Sequence, residues 1–193
     1  MPVEADGAQR INSFALVSYI PDPLGSFLDR LRHELVPRCS ARAHVTVLPP
    51  RPLIYPPHDA WEELQAALED VSPFTLTPTQ VEIFPVTSVI YLGIGNGFQR
   101  LKDLHRMLNR FKLAFDEPFE FHPHITLAQD ISHDDVEKAA QLAQRRWAEF
   151  PGDRRIRVQS LTFVQNTISP EPDCNKWVDL SECALGTHQH TGC

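Results

Sequence analysis

The chain has 193 residues, 42% of them hydrophobic, which suffices for a sizeable core in one domain or two small lobes. With 18 basic against 25 acidic side chains its formal charge is −7, which argues against wrapping long nucleic acid but leaves room for a small or terminal phosphate. The apolar run 14–20 is broken by Ser18 and closed by Pro21, too short for a signal peptide or a membrane span, so a cytoplasmic protein with no membrane partner is expected.

In chain order, Ser13 to Ile20 is apolar and β-prone and stops at Pro21-Asp22-Pro23, which predicts a buried strand; residues 1–12 before it are expected to be flexible. Leu24, Phe27, Leu28, Leu31 and Leu35 fall at helical spacing, with Asp29, Arg30, Arg32 and Glu34 on the other side, and Pro37 ends the helix. A strand from Ala43 is expected to halt at Pro49-Pro50. A second helix is predicted over 59–70, with Asp59 as its cap and Trp61, Leu64, Ala67 and Leu68 as its stripe. Phe74 to Phe84 reads as extended chain that Pro78 confines to an edge or bulge, and Val86 to Ile94 as another buried strand. Gly93 to Gly97 supplies a turn, since no Lys-Ser or Lys-Thr follows to make it a phosphate loop.

Phe98, Leu101, Leu104, His105, Leu108 and Phe111 make a third helical stripe ahead of a strand at His124. Ser132 to Asp135 opens a fourth helix through Phe150, with acidic residues where the helix dipole favours them. Arg155 to Gln165 reads as one strand with a bulge and 176–180 as a short last strand, followed by a small, polar tail, 186–193, expected to be mobile. Cys39, Cys174, Cys183 and Cys193 show no CxxC spacing and are expected to be reduced thiols.

The chemistry-bearing pattern is a repeat. Ala43-His44-Val45-Thr46-Val47-Leu48 recurs as Pro123-His124-Ile125-Thr126-Leu127-Ala128, and none of the other seven histidines has a threonine two residues on. On a strand, residues at i and i+2 share a face, so each imidazole sits beside a hydroxyl while Val45, Val47, Ile125 and Leu127 enter a core. The order strand, helix, His-Thr strand also occurs twice: Leu16 lies 28 residues before His44, and Tyr91 33 before His124. A duplicated unit accounts for both, and it predicts two pseudo-twofold lobes whose motifs face each other across a groove. Such a groove offers two imidazoles for proton transfer, with ordinary pKa values near ~6.5 that leave one neutral and one protonated at neutral pH. The hydroxyls of Thr46 and Thr126 are placed to bind phosphate oxygens.

Four further residues are possible substrate contacts. His122 and His124 have a metal-ligand spacing and with His44 could form a three-histidine site; the alternative is a rim or structural role for His122, with no metal. Arg51 follows the first motif and either meets the anionic end of a substrate or is a solvated loop arginine. Tyr19 and Tyr91 occupy comparable places in the two units and either stack on a base or pack in the sheet.

Through His44-Val45-Thr46-Val47-Leu48-Pro49-Pro50 and Phe121-His122-Pro123-His124-Ile125-Thr126-Leu127-Ala128 the sequence resembles the two-histidine (2H) phosphoesterase superfamily, which includes 2′-5′ RNA ligase-like proteins and cyclic nucleotide phosphodiesterases. Phe84-Pro85, Val89 to Leu92 and the Trp177 strand add weaker likeness, and the whole spans 14–186. The resemblance implies a single bilobal α+β domain over 1–193, with two antiparallel sheets around a central groove, and cofactor-free, metal-independent chemistry on 2′,3′-cyclic phosphates or 2′-5′ linkages. By the same analogy His124 is the base and His44 the acid. The expected substrate is a small nucleotide or RNA end handled by a monomer, with a 2′-5′ ligase or phosphodiesterase and a non-catalytic nucleotide-binding module as the alternatives.

Overall fold

The computed structural model describes residues 9–37, 39, 41–168 and 177–186. The elements run β1 (Gln9–Tyr19), α1 (Leu24–Leu35), β2 (His44–Arg51), α2 (Pro57–Leu68), β3 (Phe74–Leu76), β4 (Pro78–Ile83), β5 (Ile90–Ile94), α3 (Phe98–Leu108), β6 (His124–Ala128), α4 (Val136–Glu149), β7 (Ile156–Val158), β8 (Ser160–Ile168) and β9 (Trp177–Ala184). The result is an α+β architecture of two lobes. One is built on the antiparallel sheet β2-β1-β8-β9, the other on the antiparallel sheet β4-β5-β6, and a two-stranded ribbon β3-β7 adds to them. Among the described residues no helix is long and apolar enough to cross a membrane.

The repeated unit is realised as β1-α1-β2 and β5-α3-β6, each an antiparallel strand pair joined through a helix. The helices do not stay with their own strands: α1 packs on β6 and α3 on β2. Each helix carries one polar residue within its buried stripe. Arg32 stands four residues after Leu28, and His105 four after Leu101, so both fall on the buried faces of their helices. Arg32 donates through an Nη to the carbonyl of Thr126 at 2.5 Å, and His105 Nδ1–H donates to the carbonyl of Val47 at 2.9 Å. The placement of Arg32 on a solvated face is thereby corrected. These reciprocal links tie each His-Thr strand to the helix of the other unit.

Several boundaries shift for identifiable reasons. Strand β2 runs through Pro49-Pro50 rather than halting there, because it is the edge of its sheet and its register against β1 shifts between the Leu16–Leu48 and Phe14–Arg51 pairs, so one missing N–H falls on the open side and the other at the irregularity. Residues 9–12 belong to β1, Gln9 and Arg10 pairing with Ile168 and Thr167, and Asn12 exchanges hydrogen bonds with the backbone of Leu53 at 2.9 and 3.0 Å. Helix α2 starts at Pro57, whose lost N–H is an orphan at that position, and Asp59 sits in the first turn rather than at the cap. Pro78 opens β4 beside a register shift, at a sheet edge. Only Ile90 onward is strand in 86–94; Val86 is 81% exposed in the preceding turn.

Helix α3 ends at Leu108, so Phe111 leaves the stripe and is 84% exposed. Its start requires Gly97 at φ +86°, where an added Cβ would lie 2.3 Å from the Leu76 side chain. The run 155–165 is two strands in different sheets, β7 and β8, and the last strand extends to Ala184. Cys39 and Cys183 are free thiols, whereas Cys174, Cys193 and the tail 187–193 lie outside the described residues, as do residues 1–8.

Candidate active site

Both His-Thr strands show the same burial pattern. Val45, Val47, Ile125 and Leu127 are fully buried, each such side chain contributing roughly 1.5–3 kcal/mol, while His44, Thr46, His124 and Thr126 keep partial exposure on the opposite face. Across β1–β2, Tyr19 pairs with His44 and Val17 with Thr46, so that face of the sheet is continued by Val17 and Ala15. Ala15, Val17 and Val164, with Tyr19 and Trp177 against them, form a small apolar cluster separate from the main core. It is the floor of a groove of about 1460 Å³. His44, Thr46, His124 and Thr126 all line that groove, so the two motifs share one cavity as the duplication requires.

The imidazoles are held alike. Nδ1 of His44 is 2.7 Å from the carbonyl of Arg42, and Nδ1 of His124 is 2.7 Å from the carbonyl of His122. A carbonyl oxygen can only accept, so Nδ1 carries the proton in both rings and Nε2 is the lone-pair nitrogen of the neutral form. Among the described residues neither Nε2 nor the hydroxyls of Thr46 and Thr126 have a partner. Burial, the positive charge of Arg32 and the neighbouring His124 push the His44 pKa down to about 4, against the hydrogen bond to Arg42. Burial first, then His122, also lowers His124. The expectation of ordinary imidazole pKa values is therefore corrected: burial holds both rings toward the neutral form.

Each imidazole has a tyrosine beside it whose hydroxyl donates to a carboxylate. Tyr19 meets the edge of His44 at 6.4 Å between ring centroids and donates to Asp179 at 2.5 Å. Arg42 lies 3.8 Å above the Tyr19 ring and 3.8 Å from Asp179. Tyr91 meets His124 at 5.4 Å, stacks on Phe84 at 4.0 Å and donates to Glu82 at 3.0 Å. The tyrosines are not equivalent in register, since Gly93 stands opposite His124 and Tyr91 opposite Thr126. Tyr19 lines the groove, while Tyr91 is 5% exposed; burial and Glu82 raise its phenol to about 12.

His122 is exposed and lines the groove, its ring meeting Phe84, Tyr91 and Phe98 edge-on at 5.3 to 5.9 Å. Among the described residues no group of three His, Cys, Asp or Glu side chains is arranged to hold a metal ion. Arg51 does not face the groove. It is 2% exposed and bonds to the carbonyls of Pro49 and Leu113, to Asn109 and to Glu117, so both readings of it, as substrate contact and as solvated loop residue, are corrected to a buried brace. Glu117 also faces His105 Nε2 at 3.5 Å, and the His105 ring stacks on Phe121 at 3.9 Å. Sequence reasoning missed Arg32, Arg42, Phe84, Asn166, Trp177 and Asp179 as groove-lining residues. Arg32 carried a local signal in its four-residue spacing from Leu28, and Phe84 and Trp177 stand in the stretches of weaker family likeness.

A profile described as the 2′-5′ RNA ligase superfamily matches residues 20–167. A curated protein of Oceanobacillus iheyensis, named as a phosphoesterase, is 39% identical over 75 residues, covering 38% of this chain and 44% of that protein. One of Halalkalibacterium halodurans, also named as a phosphoesterase, is 26% identical over 102 residues, covering 48% of this chain and 59% of that protein. The matched part of the chain thus spans about half the length of these relatives. Among solved structures, Escherichia coli LigT complexed with 3′-AMP aligns at a TM-score of 0.62 with 21% identity, covering 93% of this chain and 99% of that one. At that identity the likeness is one of fold.

Proposed function

Since the chain belongs to the 2′-5′ RNA ligase superfamily of two-histidine phosphoesterases, we propose that it hydrolyses 2′,3′-cyclic phosphates of nucleotides or RNA ends by two-histidine acid–base catalysis. The observation that carries this reading is the pair of His-Thr strands lining one groove, with both rings in the same tautomer and both Nε2 atoms and both hydroxyls uncommitted among the described residues.

The geometry supports the following reaction. A cyclic phosphate lies between the imidazoles, its non-bridging oxygens accepting from Thr46 and Thr126. Water attacks phosphorus from one side and passes its proton to the neutral Nε2 of the base as the new P–O bond forms. The bond from phosphorus to one ribose oxygen breaks, and the protonated second imidazole delivers its proton to that oxygen, leaving a phosphomonoester and a free hydroxyl. His44, held neutral by burial and Arg32, suits the base. His124, whose lowering has no arginine among its causes, suits the acid, because the entering phosphate anion favours its protonated form. This reverses the assignment implied by the resemblance.

The apolar floor of Ala15, Val17, Val164 and Trp177 beside the phosphate position fits a nucleobase, in keeping with the 3′-AMP bound to LigT. Incubation with 2′,3′-cyclic nucleotides and, separately, with 2′-5′-linked oligonucleotides, followed by product identification, tests the reading. Monophosphates from the cyclic substrates are expected. Turnover of 2′-5′ linkages alone would favour the ligase or phosphodiesterase alternative, and nucleotide binding with no turnover the non-catalytic module.

A further inference from the structure

The protein contains two guanidinium groups at least nine-tenths buried among the described residues, Arg51 and Arg32, at 2% and 5% exposure. Arg51 has its counter-charge in Glu117 at 2.5 Å. Arg32 has none. One of its Nη atoms donates to the carbonyl of Thr126, the other contacts the Sγ of Cys39 at 3.4 Å, and its Nε is buried without a partner. No carboxylate among the described residues pairs with it. A buried charge left uncompensated is expensive, by several kcal/mol, so a fold that keeps one has a use for it or a counter-charge that arrives from outside.

Where Arg32 sits identifies that counter-charge. It lines the groove together with His44, Thr46, His124 and Thr126, and its bond to Thr126 O fixes it against the backbone of the second His-Thr pair. We propose that Arg32 is the phosphate-binding cation of this groove, its charge compensated by the substrate phosphate. The inference rests on reading the groove as a phosphoester site and adds a residue to it from outside both motifs. Two neutral hydroxyls and two imidazoles held toward neutrality provide hydrogen bonds but little fixed positive charge; Arg32 supplies that charge without a proton to lose. Its field already acts on His44, where it is the second cause, after burial, of the lowered pKa.

The test measures anion binding apart from turnover. Inorganic phosphate is titrated by calorimetry into the wild-type chain, Arg32→Gln, Arg32→Lys and Arg30→Gln, the last an exposed arginine of the same helix. Arg32→Gln is expected to weaken phosphate about ten- to hundredfold, the equivalent of a charge-assisted hydrogen bond. Arg32→Lys should recover most of that loss, and Arg30→Gln should match the wild type. The acidic limb of any pH–rate profile should also move up in Arg32→Gln, a shift that a merely structural link to Thr126 would not produce. Should Arg32→Gln fail to fold, the Nε–H resonance of Arg32 in the wild type must shift on phosphate titration. Unchanged phosphate affinity in folded Arg32→Gln, an Arg32→Lys variant as weak as Arg32→Gln, or an unmoved Nε–H resonance would each overturn the proposal. A wild-type chain that binds phosphate through Arg32 yet opens no cyclic phosphate would overturn the proposed activity and leave this inference standing.

Discussion

His44 and His124 are fixed in the same way, each donating from Nδ1 to the carbonyl two residues earlier in the chain, at 2.7 Å in both cases. The bond selects the tautomer and leaves Nε2 to the groove, so both rings present the nitrogen that proton transfer needs. His44→Ala and His124→Ala are expected to lose about 10²–10⁴-fold in kcat while keeping wild-type thermal unfolding. A substrate with an activated leaving group should restore rate to His124→Ala and not to His44→Ala. Equal behaviour of the two variants would contradict the division of labour.

The lowered pKa values give the pH dependence its sign. In the free protein the form with one proton on the histidine pair exists between limbs displaced to the acid side of an ordinary imidazole, one of them near 4. The bell of kcat/KM should therefore centre below pH ~6.5. Bound phosphate favours the protonated rings, so the kcat bell should lie at higher pH, its limbs belonging to the pair rather than to either residue. Stability follows the same linkage. Because the folded His44 pKa is below the unfolded value, the unfolded chain binds more protons between about pH 4 and ~6.5, and stability falls as pH drops through that window. Urea unfolding at pH 7 and pH 5 checks this, and His44→Gln should reduce the difference.

Thr46→Val and Thr126→Val remove a hydroxyl each and keep a β-branched shape. Each is expected to weaken binding of a nucleoside monophosphate by about tenfold, with a smaller loss of kcat than either histidine variant, because each hydroxyl gives one hydrogen bond to a charged oxygen. Serine at the same positions should recover the affinity. Calorimetric titration of the four variants distinguishes a lost contact from a disturbed strand.

Arg51 and Glu117 predict the opposite pattern, a loss of fold without a loss of chemistry. Glu117→Gln strands the buried guanidinium of Arg51 and removes the carboxylate facing His105, which should cost about 3–5 kcal/mol in urea unfolding. Turnover per folded molecule should remain within a few-fold of the wild type.

How far the sequence could be read follows from where the information lies. The two His-Thr strands were legible because alternation on a strand is local, and Val45, Val47, Ile125 and Leu127 are buried just as that period requires. The ends of elements were less so. Pro49-Pro50 stays in β2 because β2 is an edge strand, a property of the assembled sheet that neighbouring residues do not announce. Long-range pairing was illegible in kind. Nothing near Arg51 names Glu117, 66 residues away, and nothing near Arg32 names Thr126, 94 residues away. Tyr19 and Tyr91 read as occupying comparable places in the two units, yet they stand opposite His44 and Thr126 respectively, because register is set by the pairing of strands.

The two-histidine account needs no bound ion, and activity of the purified chain should survive exhaustive treatment with chelators. Stoichiometric zinc whose removal abolishes activity would favour the site of His44, His122 and His124 instead.

The most direct test of the central claim is hydrolysis of a 2′,3′-cyclic nucleotide in water enriched in oxygen-18, with the product examined by mass spectrometry. The account predicts a single nucleoside monophosphate carrying one oxygen-18 in its phosphate, formed by the wild type and lost in both histidine variants. A cyclic nucleotide recovered unchanged by the wild-type chain, or a product formed equally well without His44 and His124, would contradict it.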